Sequence, residues 1–515
     1  MDKKAAVIDL GSNSIVIMIM KISENGSYKM IDQAKVMVRL SEGMAKSSQL
    51  QEAPMKKAID TIRLFCKLIE SHQVNETIAV ATAAVRNATN KSIFLDMIKK
   101  ETGLLFEVIS GEQESFYDYL GVINTIAIED CIIVDTGGGS TEIILVKKRK
   151  VVNMISIPYG AVVLTEKFLK NKVEAKADFK KLEEFVCGKI SQIKWLNNLE
   201  DLTIVGLGGS IRNLSKVHQN QTGLFLGGIH NYSMNAAEVD ATYELITRTD
   251  DLERRKLPGL GKERADIILG GLVPMKTIME HVKASKLVIS GHGLRDGVFF
   301  HNYFPLYGWR EEVADNVLEH SLTNTLKKYE ANIAHSNHVS RLATDIFDQL
   351  KDLHKLGPEF RKLLAVAARL HDIGLYVDYY NHQNHGFYLV LNSGIDGLTH
   401  HELLICAFIV AMHRNEDAKI SWKEYDKYLD KADYENIRIL GLLCRIAEGL
   451  DRNEYGNIQG IKCTVSRQSL KMTLSTIHLA ELEIEAARLS EKMFKKVFKK
   501  DLLIECTQMT GSEQS

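Results

Sequence analysis

The sequence predicts a mixed α/β protein: two related α/β lobes facing each other across a cleft, then an α-helical block and a small α+β C-terminal segment. Three observations predict it. Strand-like and helix-like segments alternate up to about Pro305. Within that stretch, an apolar strand followed by Asp, one residue, Gly and Ser occurs twice, which is the mark of an internal duplication. Beyond Pro305 the apolar spacing changes to a helical period.

The elements follow in order. Ala5–Asp9, Ile15–Lys21 and Lys29–Val38 read as successive strands. Pro54 opens a helix on which Met55, Ile59, Ile62, Cys66 and Ile69 share a face. Thr77–Thr82 and Phe106–Ile109 read as strands, and Gln113 to about Ile123 as a helix. The second unit begins at Cys131–Asp135, continues with a strand at Glu142–Val146, and has further strands at Thr203–Leu207 and Leu287–Ser290. In the helical block, Val339, Leu342, Ala343, Ile346, Phe347 and Leu350 make an amphipathic stripe. More helices are expected at Glu359–Arg369, Glu402–His413 and Tyr434–Leu450. The tail reads as a hairpin (Ile461–Val465 and Leu470–Leu474), one helix over Ala480–Lys500 and a last strand at Leu502–Cys506. The expected domains are 1–124, 125–305, 306–455 and 456–515.

With 515 residues the chain is too long for one hydrophobic core. No apolar run is long enough to span a bilayer, and Met1-Asp2-Lys3-Lys4 leads directly into a strand rather than a signal peptide. Seven scattered cysteines without a CxxC pair fit a reduced interior, so a cytoplasmic location is expected. The formal net charge of −1 supplies no global basic field. Neither a nucleic-acid nor a membrane partner is expected, and a polyanion site would need locally placed Lys and Arg. The basic runs Lys147–Lys150 and Lys495, Lys496, Lys499 and Lys500 read as a solvated turn and a solvated helix face.

The chemistry lies in Asp9-Leu10-Gly11-Ser12-Asn13-Ser14 and Asp135-Thr136-Gly137-Gly138-Gly139-Ser140-Thr141-Glu142. Glycines at a tight turn let backbone N–H groups converge on an anion. Ser and Thr hydroxyls add neutral donors. A carboxylate beside such donors would repel phosphate unless a divalent cation such as Mg²⁺ lay between them. A third turn, Val205-Gly206-Leu207-Gly208-Gly209-Ser210, precedes a helix whose N-terminus could bind anion. Hydrolysis also needs a group to orient water. Glu112 and Glu114, at the start of the helix after Ser110-Gly111, are candidates, although simple helix capping explains both equally well.

These motifs, with Ala81-Thr82-Ala83-Ala84-Val85-Arg86-Asn87-Ala88 and Val108-Ile109-Ser110-Gly111, resemble the exopolyphosphatase/guanosine-pentaphosphate phosphohydrolase family. That family belongs to the superfamily of acetate and sugar kinases, actin and heat-shock ATPases. The resemblance spans essentially the whole chain and is most like an exopolyphosphatase with a C-terminal HD-like domain. It implies two actin-like (ribonuclease H-like) lobes and a homodimer. The implied activity is metal-dependent removal of the terminal phosphate of inorganic polyphosphate. Guanosine pentaphosphate is the alternative substrate. Phosphate transfer to a nucleotide, or sensing of polyphosphate or guanosine tetraphosphate without turnover, are further readings. By position, Glu114 matches the general base. Asp9, Asp135 and Glu142 match carboxylates around the metal. Gly11, Ser12, Asn13, Gly137, Gly138, Gly139 and Ser140 match the phosphate loops, with Gly208 and Gly209 from the third turn, and Arg86 matches an arginine on the substrate path. Where the family usually has two adjacent glutamates, this chain has Gln113 before Glu114, and Glu112 remains a second candidate.

Nine of the seventeen histidines lie between His335 and His413, so this block is chemically distinct. It resembles the HD superfamily of metal phosphohydrolases. The implied ligands are His338, His371, Asp372 and a late acidic residue at Glu448, with Asp451 one helical turn on as the other choice. The alternative is an accessory scaffold whose Arg361, Lys362, Arg414 and Arg445 help bind a long polyanion.

Overall fold

The computed structural model describes residues 2–169, 176–226, 228–305, 312–414 and 420–508. The chain forms two compact units, Met1–Val317 and Leu318–Ser515. The expected boundary near Pro305 thus moves about a dozen residues towards the C-terminus.

In the first unit, β1 (Lys3–Leu10), β2 (Ser14–Ile22) and β3 (Tyr28–Met37) form an antiparallel meander. The β4 strand (Glu76–Ala81) lies parallel to β1, and β5 (Glu107–Val108) parallel to β4. The sheet order is β3-β2-β1-β4-β5. The second sheet repeats this plan: β6 (Cys131–Thr136), β7 (Thr141–Lys147) and β8 (Lys150–Ile157) form the meander, and β9 (Ile204–Leu207) and β11 (Lys286–Ile289) run parallel to β6. The sequence reading had no counterpart for the antiparallel edge strand β10 (Tyr232–Asn235). Its four residues alternate buried and exposed, too short a run to stand out by periodicity. The central strands are apolar on both faces because helices cover both. These are two actin-like lobes, and the duplication read from Asp9 and Asp135 extends through each sheet.

Helix α1 (Glu52–Ser71) buries Met55, Ala58, Ile59, Ile62 and Phe65 on its lobe, and Pro54 sits in its first turn, where no N–H is required. Two further helices, α2 (Gly111–Ile123) and α4 (Leu294–Tyr303), cross at very short range. A Cβ at Gly297 would lie 1.8 Å from the Tyr117 carbonyl oxygen, and one at Gly121 2.5 Å from that of Gly293. Only glycine permits that crossing. Helix α3 (Gly208–Thr222) starts directly after β9.

The second unit is built of α5 (Ile333–Gln349), α6 (Pro358–Leu370), α7 (His382–Asn392), α8 (His400–Met412) and α9 (Lys431–Gly449). Helix α8 is apolar all round and is buried continuously from Leu403 to Met412, as expected of a central helix. A three-stranded sheet follows, with β12 (Ile458–Val465) antiparallel to β13 (Ser469–Thr476) and β14 (Asp501–Gln508) parallel to β13. The single helix expected over Ala480–Lys500 is instead two, α10 (Glu481–Arg488) and α11 (Glu491–Phe498). The break falls where Leu489 and Ser490 donate to Ala486 and Ala487, three residues back rather than four. Among the described residues no helix is long and apolar enough to cross a membrane.

Candidate active site

The two Gly-Ser turns close in the same way. Gly11 N–H donates to Ser14 O at 3.1 Å, and Gly137 N–H donates to Ser140 O at 3.0 Å. They face each other closely: a Cβ on Gly139 would lie 2.5 Å from Ser12 Oγ and 3.0 Å from Ala83 Cβ. Asp9 and Asp135 end the preceding strands at equivalent positions. Each has its Oδ1 buried and without a hydrogen-bond partner among the described residues. Burial raises both carboxyls, Asp9 to about 6, against the pull of Arg295 on Asp9 and of Arg212 and Arg264 on Asp135. Between the turns lies a cavity of about 150 Å³.

Glu114 reaches this cavity from α2, and Glu112 is exposed. The capping box explains why. Ser110 Oγ accepts from Gln113 N–H at 3.1 Å, and Gln113 Oε1 accepts from Ser110 N–H at 2.8 Å. Gln113 thus fixes the helix start, and Glu114 falls on the inner face. Arg86 stands behind Glu114 rather than in the cavity lining. Its Nη1 donates to Glu114 Oε2 at 2.8 Å and to Ile109 O at 3.0 Å. Burial raises the Glu114 carboxyl to about 7, although Arg86 pulls the other way.

Glu142 also lies outside the lining. It pairs in register with Asp135 and accepts from Ser156 Oγ at 2.7 Å. Gly208 and Gly209 do line the cavity, and the Arg264 guanidinium lies where a Cβ of Gly209 would be.

The sequence reading missed six charged residues here, among them Asp296, which lines the cavity and accepts from Gly293 N–H at 3.1 Å. Lys35, Arg212, Arg264 and Arg295 line the cavity. Burial and the three arginines together lower the Lys35 amine to about 8. Arg212 is held by donation to the carbonyls of Ser290 and Gly291 at 3.0 and 2.9 Å. Asp118, one turn after Glu114 on α2, is fully buried, with neither oxygen hydrogen-bonded among the described residues. Burial, with Asp135 and Glu142 next in effect, raises it far above the carboxylate range. The i, i+4 spacing of Glu114 and Asp118 was the available signal.

Two buried, unpartnered carboxylate oxygens beside glycine turns fit a divalent cation, with Asp9 and Asp135 as its holders. The four cations and the free amides suit an anion of several charges.

In the helical unit His371 and Asp372 come together with His335, not with His338. His338 Nδ1 accepts from Arg341 at 3.2 Å, and its Nε2 lies 3.9 Å from Asp451 Oδ1. Glu448 is taken up by Arg414 and Arg452, at 3.3 and 3.2 Å. Asp451 is the acidic residue that faces the cluster, accepting from His335 Nδ1 at 2.8 Å. Arg361 and Lys362 are paired with Asp348 and Glu402.

The fold and this cleft define a two-lobed α/β protein with a cavity lined by glycine turns and four basic side chains. Residues 18–303 match the Ppx/GppA phosphatase family, and residues 317–493 match Ppx/GppA phosphatase, domain III. The chain belongs to the Ppx/GppA phosphatase family. It is 31% identical to the Aquifex aeolicus member of that family, over 58% of this chain and 97% of that one, with a TM-score of 0.50. An exopolyphosphatase from Cytophaga hutchinsonii is similar in fold, with 23% identity, 61% of this chain and 100% of that one covered, and a TM-score of 0.55.

Proposed function

We propose that this chain hydrolyses the terminal phosphoanhydride of inorganic polyphosphate, releasing orthophosphate and a chain one phosphate shorter. The observation that carries this reading is the lining of the cleft. It offers glycine-turn amides, Lys35 and three arginines, and no aromatic side chain among its residues. A nucleoside substrate gains from a stacking platform, whereas a bare phosphate chain needs none. The backbone N–H groups of Ser12–Asn13 and Gly138–Ser140 and the four cations hold the terminal phosphoryl group and absorb its charge. Glu114, as the carboxylate, takes the proton of the attacking water. The attack breaks the P–O bond to the rest of the chain, opposite the incoming oxygen. Mg²⁺ or another divalent cation, held by Asp9 and Asp135, would neutralise charge on the transferring group. Arg86 positions Glu114.

The test is phosphate release from long-chain polyphosphate and, separately, from guanosine pentaphosphate, each with Mg²⁺ and with chelator. Faster metal-dependent release from polyphosphate is expected. Faster release from the nucleotide would transfer the activity to the alarmone, and binding without release from either would make the chain a sensor.

A further inference from the structure

Helix α2 brings two buried carboxyls, one turn apart, towards the cleft, and the hydrolysis proposed there uses only Glu114. The other is Asp118, fully buried, with neither oxygen hydrogen-bonded among the described residues. After burial itself, the charges that act on it most are Asp135, Glu142, Glu114 and Asp9, all acidic. A carboxylate withdrawn from water with neither a donor nor a cation beside it is costly. Arg212 does not meet that need. Its guanidinium donates to the carbonyls of Ser290 and Gly291, and Asp135 and Asp296 act on it more strongly than Asp118 does. The wall between Asp118 and the cavity is thin. Gly293 lines the cavity, and a Cβ on it would lie 3.2 Å from Asp118 Oδ1. Two further side chains of the lining are buried with polar atoms unpartnered among the described residues: Thr136, at its Oγ1, and Asn13, at both Oδ1 and Nδ2.

The oxygens of Asp9, Asp118 and Asp135 do not all come within 4.8 Å of one another, so in this arrangement one ion cannot take all three directly. Mg²⁺ does not require that. It dehydrates reluctantly, takes one or two carboxylates and keeps several waters. Those waters are donors, and unpartnered oxygens around the cavity are what they need. We propose that Asp118 is the outer carboxylate of the cleft cation, accepting from water on an ion that Asp9 and Asp135 hold directly. Asp118 thus adds a negative charge and orients the waters without touching the ion, as outer-shell partners of a metal do. The hydroxyl of Thr136 and the amide of Asn13 are further partners for the same waters. Asp118 is a positioning residue in this role, since it reaches neither the substrate nor the ion. The inference rests on the divalent cation proposed for the cleft, and extends it to a residue that the reaction itself leaves idle.

The test is calorimetric titration of Mg²⁺ into the full chain, stripped with chelator and without substrate. Asp135→Asn identifies the cleft, because the binding heat it abolishes belongs there. Asp118→Asn should weaken that same binding by about 10–100-fold. Asp118→Ser, which removes the charge without adding bulk, should do likewise and serves where the asparagine does not fold. Unchanged affinity in both, with binding lost in Asp135→Asn, would overturn the role of Asp118 and leave the cleft cation standing. Full binding by Asp135→Asn would put the ion elsewhere and overturn both readings. Melting temperatures separate a merely structural role. In chelator Asp118→Asn should melt no lower than the unaltered chain, since no hydrogen bond of the carboxyl is lost, and with Mg²⁺ it should gain less. A lower melting temperature in chelator with unchanged Mg²⁺ affinity would make Asp118 part of the core packing only, and would overturn the proposal.

Discussion

Arg86 and Glu114 form a 2.8 Å ion pair in which the arginine is also anchored to the Ile109 carbonyl, so one guanidinium sets both the position and the charge of the carboxylate. Burial and the arginine act on Glu114 in opposite directions, and burial prevails. Glu114 is a base only while ionised, so turnover should fall as pH drops through about 7. Removing Arg86 removes the opposing influence. Arg86→Ala should therefore move the acid limb of the kcat profile upward, by about one pH unit or more. An unmoved limb with reduced kcat would leave Arg86 a merely structural role.

Glu114→Gln keeps the shape of the side chain and abolishes the base. Turnover of polyphosphate should fall by about 10²–10⁴-fold while binding persists. Steady-state kinetics with a filter-binding assay separates the two, and unchanged turnover would return the role to Glu112.

Gly139→Ala places a methyl group 2.5 Å from Ser12 Oγ and 3.0 Å from Ala83 Cβ. The facing turns must separate, at a cost of roughly 1–3 kcal/mol. A lower melting temperature and a raised KM are expected together. A change in stability alone would mean that the turns do not hold substrate.

Asp9 is a pH-dependent liability of the metal-free protein. Its carboxyl rises from 3.8 to about 6, so the folded state binds this proton more tightly than the unfolded chain does. Below pH 3.8 that contribution to stability is complete, and it is lost as pH rises through 6. Full ionisation then costs about 3 kcal/mol. In chelator at pH 8, Asp9→Asn should melt higher than the unaltered protein, with the difference shrinking towards pH 4. Added Mg²⁺ should stabilise the unaltered protein and leave the variant unmoved.

What was legible in the sequence was local. Strand, Asp and glycine turn occupy consecutive positions, so Asp9 and Asp135 could be read together with the duplicated lobes. Lys35, Arg212, Arg264 and Arg295 come from four separate segments, and only the fold gathers them. The helical block shows a different limit. His335 and His338 lie three residues apart on one helix, as do Glu448 and Asp451 at the end of another. Positions three apart share a helix face, so spacing alone cannot tell which of each pair points inward. The resemblance put the ligands at His338 and at Glu448, with Asp451 as the other choice for the acid, and the cluster gathers His335 and Asp451.

The cleft lining sets Asp9, Glu114, Asp135 and Asp296 against Lys35, Arg212, Arg264 and Arg295. Equal numbers of opposite charges cancel beyond their own separation, and the whole chain carries a formal −1. Little electrostatic field therefore extends into solution to guide an anion inward. With the divalent cation removed by chelator, encounter with a charged substrate should proceed at the unsteered rate of about 10⁵–10⁶ M⁻¹s⁻¹ and slow only weakly with added salt.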